Sequence, residues 1–170
     1  MKIILIMVVV VILLCLWLII DYGKEKKNPK LIKSYHDKGL SDRDITIFRQ
    51  TMTDAKHQIK GWEAAVKRDE ALQIIERVTG GLASSKKLFQ FIVKEPSAAL
   101  LNNDFLYSDL PTMVDLIETY SNLKSVEKTD QSLLIESQKV IKQLSEKIAN
   151  RYTMTLSADI EKVKNEVENG

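Results

Sequence analysis

Ile3 to Ile20 is an unbroken run of eighteen apolar residues, with no charge, glycine or proline. As an α-helix it would reach roughly 27 Å at about 1.5 Å per residue, against about 30 Å of bilayer hydrocarbon. Leu, Ile and Val near the centre of such a helix each favour insertion by about 0.3–0.6 kcal/mol. The run therefore predicts an N-terminal transmembrane helix, a single-pass anchor over residues 1–23. A cleaved signal peptide fits it less well, because signal cores run about 7–15 residues and end in a small-residue site. Trp17-Leu18-Ile19-Ile20-Asp21-Tyr22 carries no A-x-A pattern. Cys15 has Leu14 before it and apolar residues after it, so it reads as a membrane-buried apolar residue rather than a lipidation site.

Residues 24–34 form a basic juxtamembrane segment. Lys24, Lys26, Lys27, Lys30 and Lys33 stand against Asp21 and Glu25, with only Lys2 ahead of the run. This bias predicts a cytoplasmic location for the chain beyond the span, in a protein of the cell membrane. Trp17 and Tyr22 sit where amphipathic rings favour the interface. Lys24, Lys26 and Lys27 would be drawn to anionic lipid headgroups, at about 1 kcal/mol per lysine. Membrane lipid is thus the first expected partner. The single cysteine excludes an internal disulfide, which agrees with a reducing compartment.

Residues 31–170 have the size of one domain. They carry twenty Lys and Arg against twenty-one Asp and Glu, so the whole-chain charge of +2 comes from the first thirty residues. A near-neutral domain of mixed charge argues against nucleic acid, which selects a basic face.

The pattern of this domain is helical throughout, with no β-type alternation. Ser41-Asp42-Arg43-Asp44 reads as a helix start, a capping box with Asp in place of the usual Glu or Gln. Ile45, Phe48, Met52, Ala55, Ile59, Trp62 and Val66 then follow at alternating spacings of 3 and 4, a heptad seam. A second series runs Ile75, Val78, Leu82, Ser85, Phe89, Ile92, with Gly80-Gly81 placed to bend or break it and Pro96 after its end. Residues 97–111 read as a short helix and a turn. Pro111 fits the first turn of the next helix, with Asp109 as its cap and Leu110, Met113, Val114, Ile117 and Tyr120 as its stripe. A last helix runs from after Lys128 to about Glu168, on Leu133, Val140, Leu144, Ile148, Tyr152, Leu156, Ile160, Val163 and Val167. The expected fold is all-α, a transmembrane helix followed by an elongated antiparallel helical bundle or coiled coil.

The sequence holds no recognisable catalytic motif: no H-E-x-x-H, C-x-x-C, Walker loop or G-x-S-x-G. No catalytic, cofactor-binding or metal-binding residue is assigned. His57 falls opposite the Phe48–Trp62 seam and should face solvent, and His36 lies just before the Gly39 break. Asp42 and Asp44 could be an acidic metal pair, but helix capping explains them with less. Asp115, between Val114 and Leu116, is expected to be partly buried and paired with Arg49 or Arg151. The most unusual segment is Asn103 to Pro111, two aromatics and three apolar residues in a helix connection. Either it folds back to cap the bundle, or Phe105, Leu106, Tyr107 and Leu110 form an exposed edge that docks a protein partner.

Two blocks resemble the bacterial XpaC-like family. The first runs Tyr35-His36-Asp37-Lys38-Gly39-Leu40-Ser41-Asp42-Arg43-Asp44-Ile45, then Phe48-Arg49, Thr51-Met52, Ala55, Gln58-Ile59 and Trp62-Glu63. The second is Lys94-Glu95-Pro96, Phe105-Leu106-Tyr107, Leu110-Pro111, Val114-Asp115-Leu116 and Tyr120. The resemblance implies an XpaC-like helical domain over 35–168. The family is named for 5-bromo-4-chloroindolyl phosphate hydrolysis, and its association with toxic-anion-resistance (TelA-like) proteins implies envelope or stress physiology. Two functions stand open. One is a membrane-tethered interaction or scaffold protein that binds a partner such as a TelA-like protein, or a second copy of itself. The other is a hydrolase of phosphate esters, for which Asp115, Arg49 and His36 are the residues to alter.

Overall fold

The computed structural model describes residues 29–127 and 130–168. The chain is all-α, with no strand among the described residues. The apolar run 3–20, and with it Trp17, Tyr22, Lys24, Lys26 and Lys27, lies outside the described residues. Among the described residues no helix is long and apolar enough to cross a membrane. The chain divides after Ile45 into two compact units.

The first unit holds helix α1, Pro29–Asp37, and the start of helix α2, Asp42–Arg68. Proline opens α1, where its missing N–H has no partner to lose. A Schellman turn ends it: the Gly39 N–H donates to the His36 carbonyl at 2.8 Å and the Leu40 N–H to the Tyr35 carbonyl at 3.1 Å. The capping box is present. The Asp44 N–H donates to Ser41 Oγ at 3.2 Å, and the Ser41 N–H donates to Asp44 Oδ2 at 3.2 Å. The Ser41 hydroxyl bond holds the Asp44 carboxyl below its usual range.

The second unit is a helical bundle. Its first rod is the rest of α2, which buries Phe48, Met52, Ala55, Ile59 and Trp62 as the seam predicts and ends on Ala65 rather than Val66. One residue, Asp69, separates α2 from α3, Glu70–Thr79, and one more, Gly80, separates α3 from α4, Gly81–Lys94. Gly80 takes φ +65°, a left-handed conformation that costs a side-chain-bearing residue about 1–2 kcal/mol. The Glu76 carboxylate then accepts the N–H groups of Leu82 at 2.8 Å and Ala83 at 3.0 Å, so α3 supplies the anion that caps α4. The short helix α5, Ala98–Leu101, and a π-helical turn, Phe105–Asp109, lead into α6, Leu110–Ser125. The last rod is α7, Gln131–Glu168, about 57 Å long.

Cross-links between rods fix their directions. Thr51 meets Tyr107 at one end, and Asp69 meets Tyr120 and Lys124 at the other, so α2 and α6 run parallel. Asp109 meets Lys147 while Tyr120 meets Gln138, so α6 and α7 are antiparallel. Thr79 meets Ser145 and Lys87 lies over the Tyr152 ring, so α3 and α4 run with α7. The result is an up-down-up-down bundle whose second rod is broken at Gly80. Leu88, Ile92, Phe105, Leu110, Met113, Ile141 and Ile148 form its fully buried centre.

Two expected stripes are shifted. The break at Gly80 resets the helical phase, so Val78 is exposed and Leu88, not Phe89, is fully buried. On α7 the buried line is Ile141, Ser145 and Ile148, one residue away from Val140 and Leu144.

Asp69 ties three rods together. Its Oδ1 accepts the Leu72 N–H at 3.1 Å as the N-cap of α3, and Lys124 Nζ lies 2.6 Å from Oδ2. Burial would raise this carboxyl, but the Lys124 ammonium, the Leu72 N–H and the Tyr120 hydroxyl outweigh it and hold it below the usual carboxylate range. A depressed carboxyl adds stability above its unfolded pKa, about 3.9, and loses it as pH falls through the lower folded value. Asp69→Ala should cost about 1–2 kcal/mol at neutral pH. In thermal melts the variant should approach the parent as the pH drops below 4, and a pH-independent gap would exclude the ion pair as the cause.

Candidate functional site

At the end of the bundle where α4 stops, the connection 95–104 crosses towards α7 and leaves one side of that helix open. The resulting groove encloses about 1290 Å³ between Phe91 and Lys94 of α4, Ala98, Leu101 and Asn102, and the stretch of α7 from Gln143 to Ala158. Its lips are apolar and face water: Leu101 is 78% exposed and Met154 70% exposed. α5 is only four residues long, too short to bury both its leucines, and Leu100 and Leu101 turn outward.

The floor is polar and tightly bonded. Asn102 is buried, donating from Nδ2 to the Ala98 carbonyl at 2.9 Å and accepting at Oδ1 from the Thr155 hydroxyl at 3.0 Å. Lys147 and Arg151 line the groove and also reach behind it to Asp109, which is 1% exposed. Lys147 Nζ lies 2.7 Å from Oδ1 and Arg151 Nε 3.2 Å from Oδ2, with Arg151 also 3.3 Å from Asp104. The π-helical turn buries Phe105, Leu106 and Asp109 together, which sets the Asp109 carboxylate behind the groove. Two carboxylates offset the two cations, which leaves the groove with an apolar rim, amide groups and little net charge. That chemistry suits a ligand with an apolar stripe and a polar back, such as an amphipathic helix.

The protein-family model described as 5-bromo-4-chloroindolyl phosphate hydrolysis protein matches residues 1–169. The chain belongs to the 5-bromo-4-chloroindolyl phosphate hydrolysis protein family. No curated protein and no solved structure matches it. The match takes in the blocks at 35–120, the apolar N-terminal run and the last helix.

In this family member several sequence expectations need correcting. Phe105, Leu106 and Leu110 are core residues, so the segment 103–111 closes the bundle and they cannot form an exposed docking edge. Tyr107 alone of the four is exposed, 2.9 Å from the Thr51 hydroxyl. Asp109 does not cap α6. It is helical itself and makes no cap bond, because Lys147 and Arg151 hold its carboxylate. Asp115 is exposed, and Arg151 serves Asp104 and Asp109 instead. His57 faces solvent as expected, while His36 braces the α1–α2 turn, 3.1 Å from the Leu40 carbonyl and 3.2 Å from Asp42. Among the described residues no group of three or more His, Cys, Asp or Glu gathers as a metal site. The groove has no counterpart among the sequence expectations. Leu100-Leu101 before two asparagines, apolar residues outside every seam, is the signal that could have pointed to it.

Proposed function

We propose that this family member is a membrane-tethered binding module, in which the apolar run 3–20 anchors the chain and the groove between α4 and α7 docks a helical segment of a partner protein. The apolar lips of the groove carry this reading. Leu101 and Met154 leave apolar surface open to water at the edge of a groove, where such surface marks interaction sites. The lysines after the apolar run favour a cytoplasmic bundle. A TelA-like protein is the first partner to test.

The experiment uses the full chain, expressed with a TelA-like protein and recovered from the membrane fraction. Leu101→Glu and Met154→Glu should abolish co-purification while leaving stability within about 0.5 kcal/mol, as expected for exposed positions. Retained binding with both changes would rule out the groove, and a chain found in the soluble fraction would rule out the anchor. The family description favours a second reading, hydrolysis of phosphate esters. The groove offers Phe91 to a flat aromatic group and Lys94 to a phosphate. Saturable turnover of 5-bromo-4-chloroindolyl phosphate by the same purified chain, above a denatured control with divalent metals supplied, would decide for it.

A further inference from the structure

Helix α7 carries a second seam. Its inner line, Ile141, Ser145, Ile148, Tyr152 and Thr155, advances by 4, 3, 4 and 3 and faces the bundle. One residue further on a new line begins: Leu156, Ile160, Val163 and Val167, at spacings of 4, 3 and 4. A step of one residue turns the seam by about 100° around the helix, out of line with the bundle interior. Of this line the structure leaves Leu156, Ile160 and Val167 exposed, at 37%, 69% and 76%. Such a stripe does not stay exposed without cost.

We infer that this stretch of α7 pairs with the same stretch of a second copy, as a short parallel two-stranded coiled coil. The pattern itself names the occupant. With Ile160 and Val167 at the a positions and Leu156 at d, the branched residues fall where two-stranded parallel coils place them. Flanking charges select the direction. In this register the g positions, 159 and 166, are both acids, and the e position 164 is a lysine. Antiparallel packing would set g against g, acid on acid. Parallel packing sets position 159 of each copy against position 164 of the other, acid on base, twice by symmetry.

The seam is short, and three turns of isolated helix would be marginal in water. Here the turns already belong to a helix nucleated within the bundle, so pairing does not bear that cost. If the chains share a membrane, as the anchor reading holds, their local concentration assists further. The groove lies on a different side of α7, through Asn150, Met154 and Ala158, so a dimer formed this way leaves it open.

Disulfide trapping in membranes of cells expressing the full chain tests the pairing. Cys15→Ser removes the native thiol, and single cysteines are placed at Ile160→Cys, Val167→Cys or Ala158→Cys. The first two lie at a positions of the seam and the third at f, on the far side. Oxidation should double the apparent mass of Ile160→Cys and Val167→Cys on a non-reducing gel and leave Ala158→Cys unchanged. Absence of a dimer at both a positions overturns the proposal, as does an equal dimer at Ala158→Cys. So does a disulfide between Leu156→Cys on one copy and Ile160→Cys on another that exceeds the Ile160 self-pair, since that marks antiparallel strands. Fractionation of the same cells reports the anchor separately, so loss of the membrane reading and loss of the pairing are distinct results.

Discussion

Removing Lys147 and Arg151 together, as Lys147→Ala with Arg151→Ala, is expected to destabilise the bundle by about 3–5 kcal/mol. Asp109 is 1% exposed and these are the two cations that hold it, at 2.7 and 3.2 Å. Without them a carboxylate stays in the core with neither counter-charge nor water. The reverse change should be milder. After Asp109→Asn, the half-exposed Lys147 side chain can turn back to solvent and Arg151 keeps Asp104, so the loss should be about 1–3 kcal/mol. Thermal unfolding of the full chain would measure both. Equal losses would mean that Asp109 is not the group at risk, and that the cations act mainly through packing of their stems.

Burial of polar groups for tertiary reasons also explains what the sequence could and could not show. A seam on one uninterrupted helix is legible: α2 repeats 3 and 4 through Phe48, Met52, Ala55, Ile59 and Trp62 because one face stays buried over its length. The second series runs across Gly80, and its phase is correct on only one side of that break. On α7 an apolar pattern points to Val140 and Leu144 because the core places polar Ser145 between Ile141 and Ile148. The polar residues hold inner positions there through their neighbours: Ser145 faces Gly81, and Thr155 bonds the buried Asn102.

The site was less legible than the fold. A π-helical turn has no simple spacing signature, so Asp109 reads as a cap rather than as one half of a buried ion pair. The groove exists only where α4 ends, α5 turns away and α7 continues. Its lips, Leu101 and Met154, belong to no seam. The family membership was legible, because it rests on local blocks rather than on contacts between distant helices.

Gly81→Ala should destabilise the bundle by about 2–3 kcal/mol. A Cβ at Gly81 would lie 2.6 Å from the Ser145 carbonyl oxygen and 2.9 Å from the Ser145 Cα, with Ser145 Oγ closer still. Two of these three atoms are backbone, so no rotamer change relieves the contact and α4 must move away from α7. That movement would also stretch the bond between the hydroxyls of Ser145 and Thr79, now 2.6 Å, in which Ser145 donates because Thr79 gives its own proton to the Ile75 carbonyl. Gly80→Ala is the control. Nothing stands within 4 Å of a Cβ there, so only the strain of φ +65° remains, about 1–2 kcal/mol. The decisive comparison is the double change Gly81→Ala with Ser145→Gly. It deletes the hydroxyl but keeps the carbonyl and Cα, so it should recover little of the loss. Full recovery of the melting temperature would show that the hydroxyl alone sets the distance between the helices. Failure to recover would establish that α4 and α7 meet backbone to backbone at Gly81.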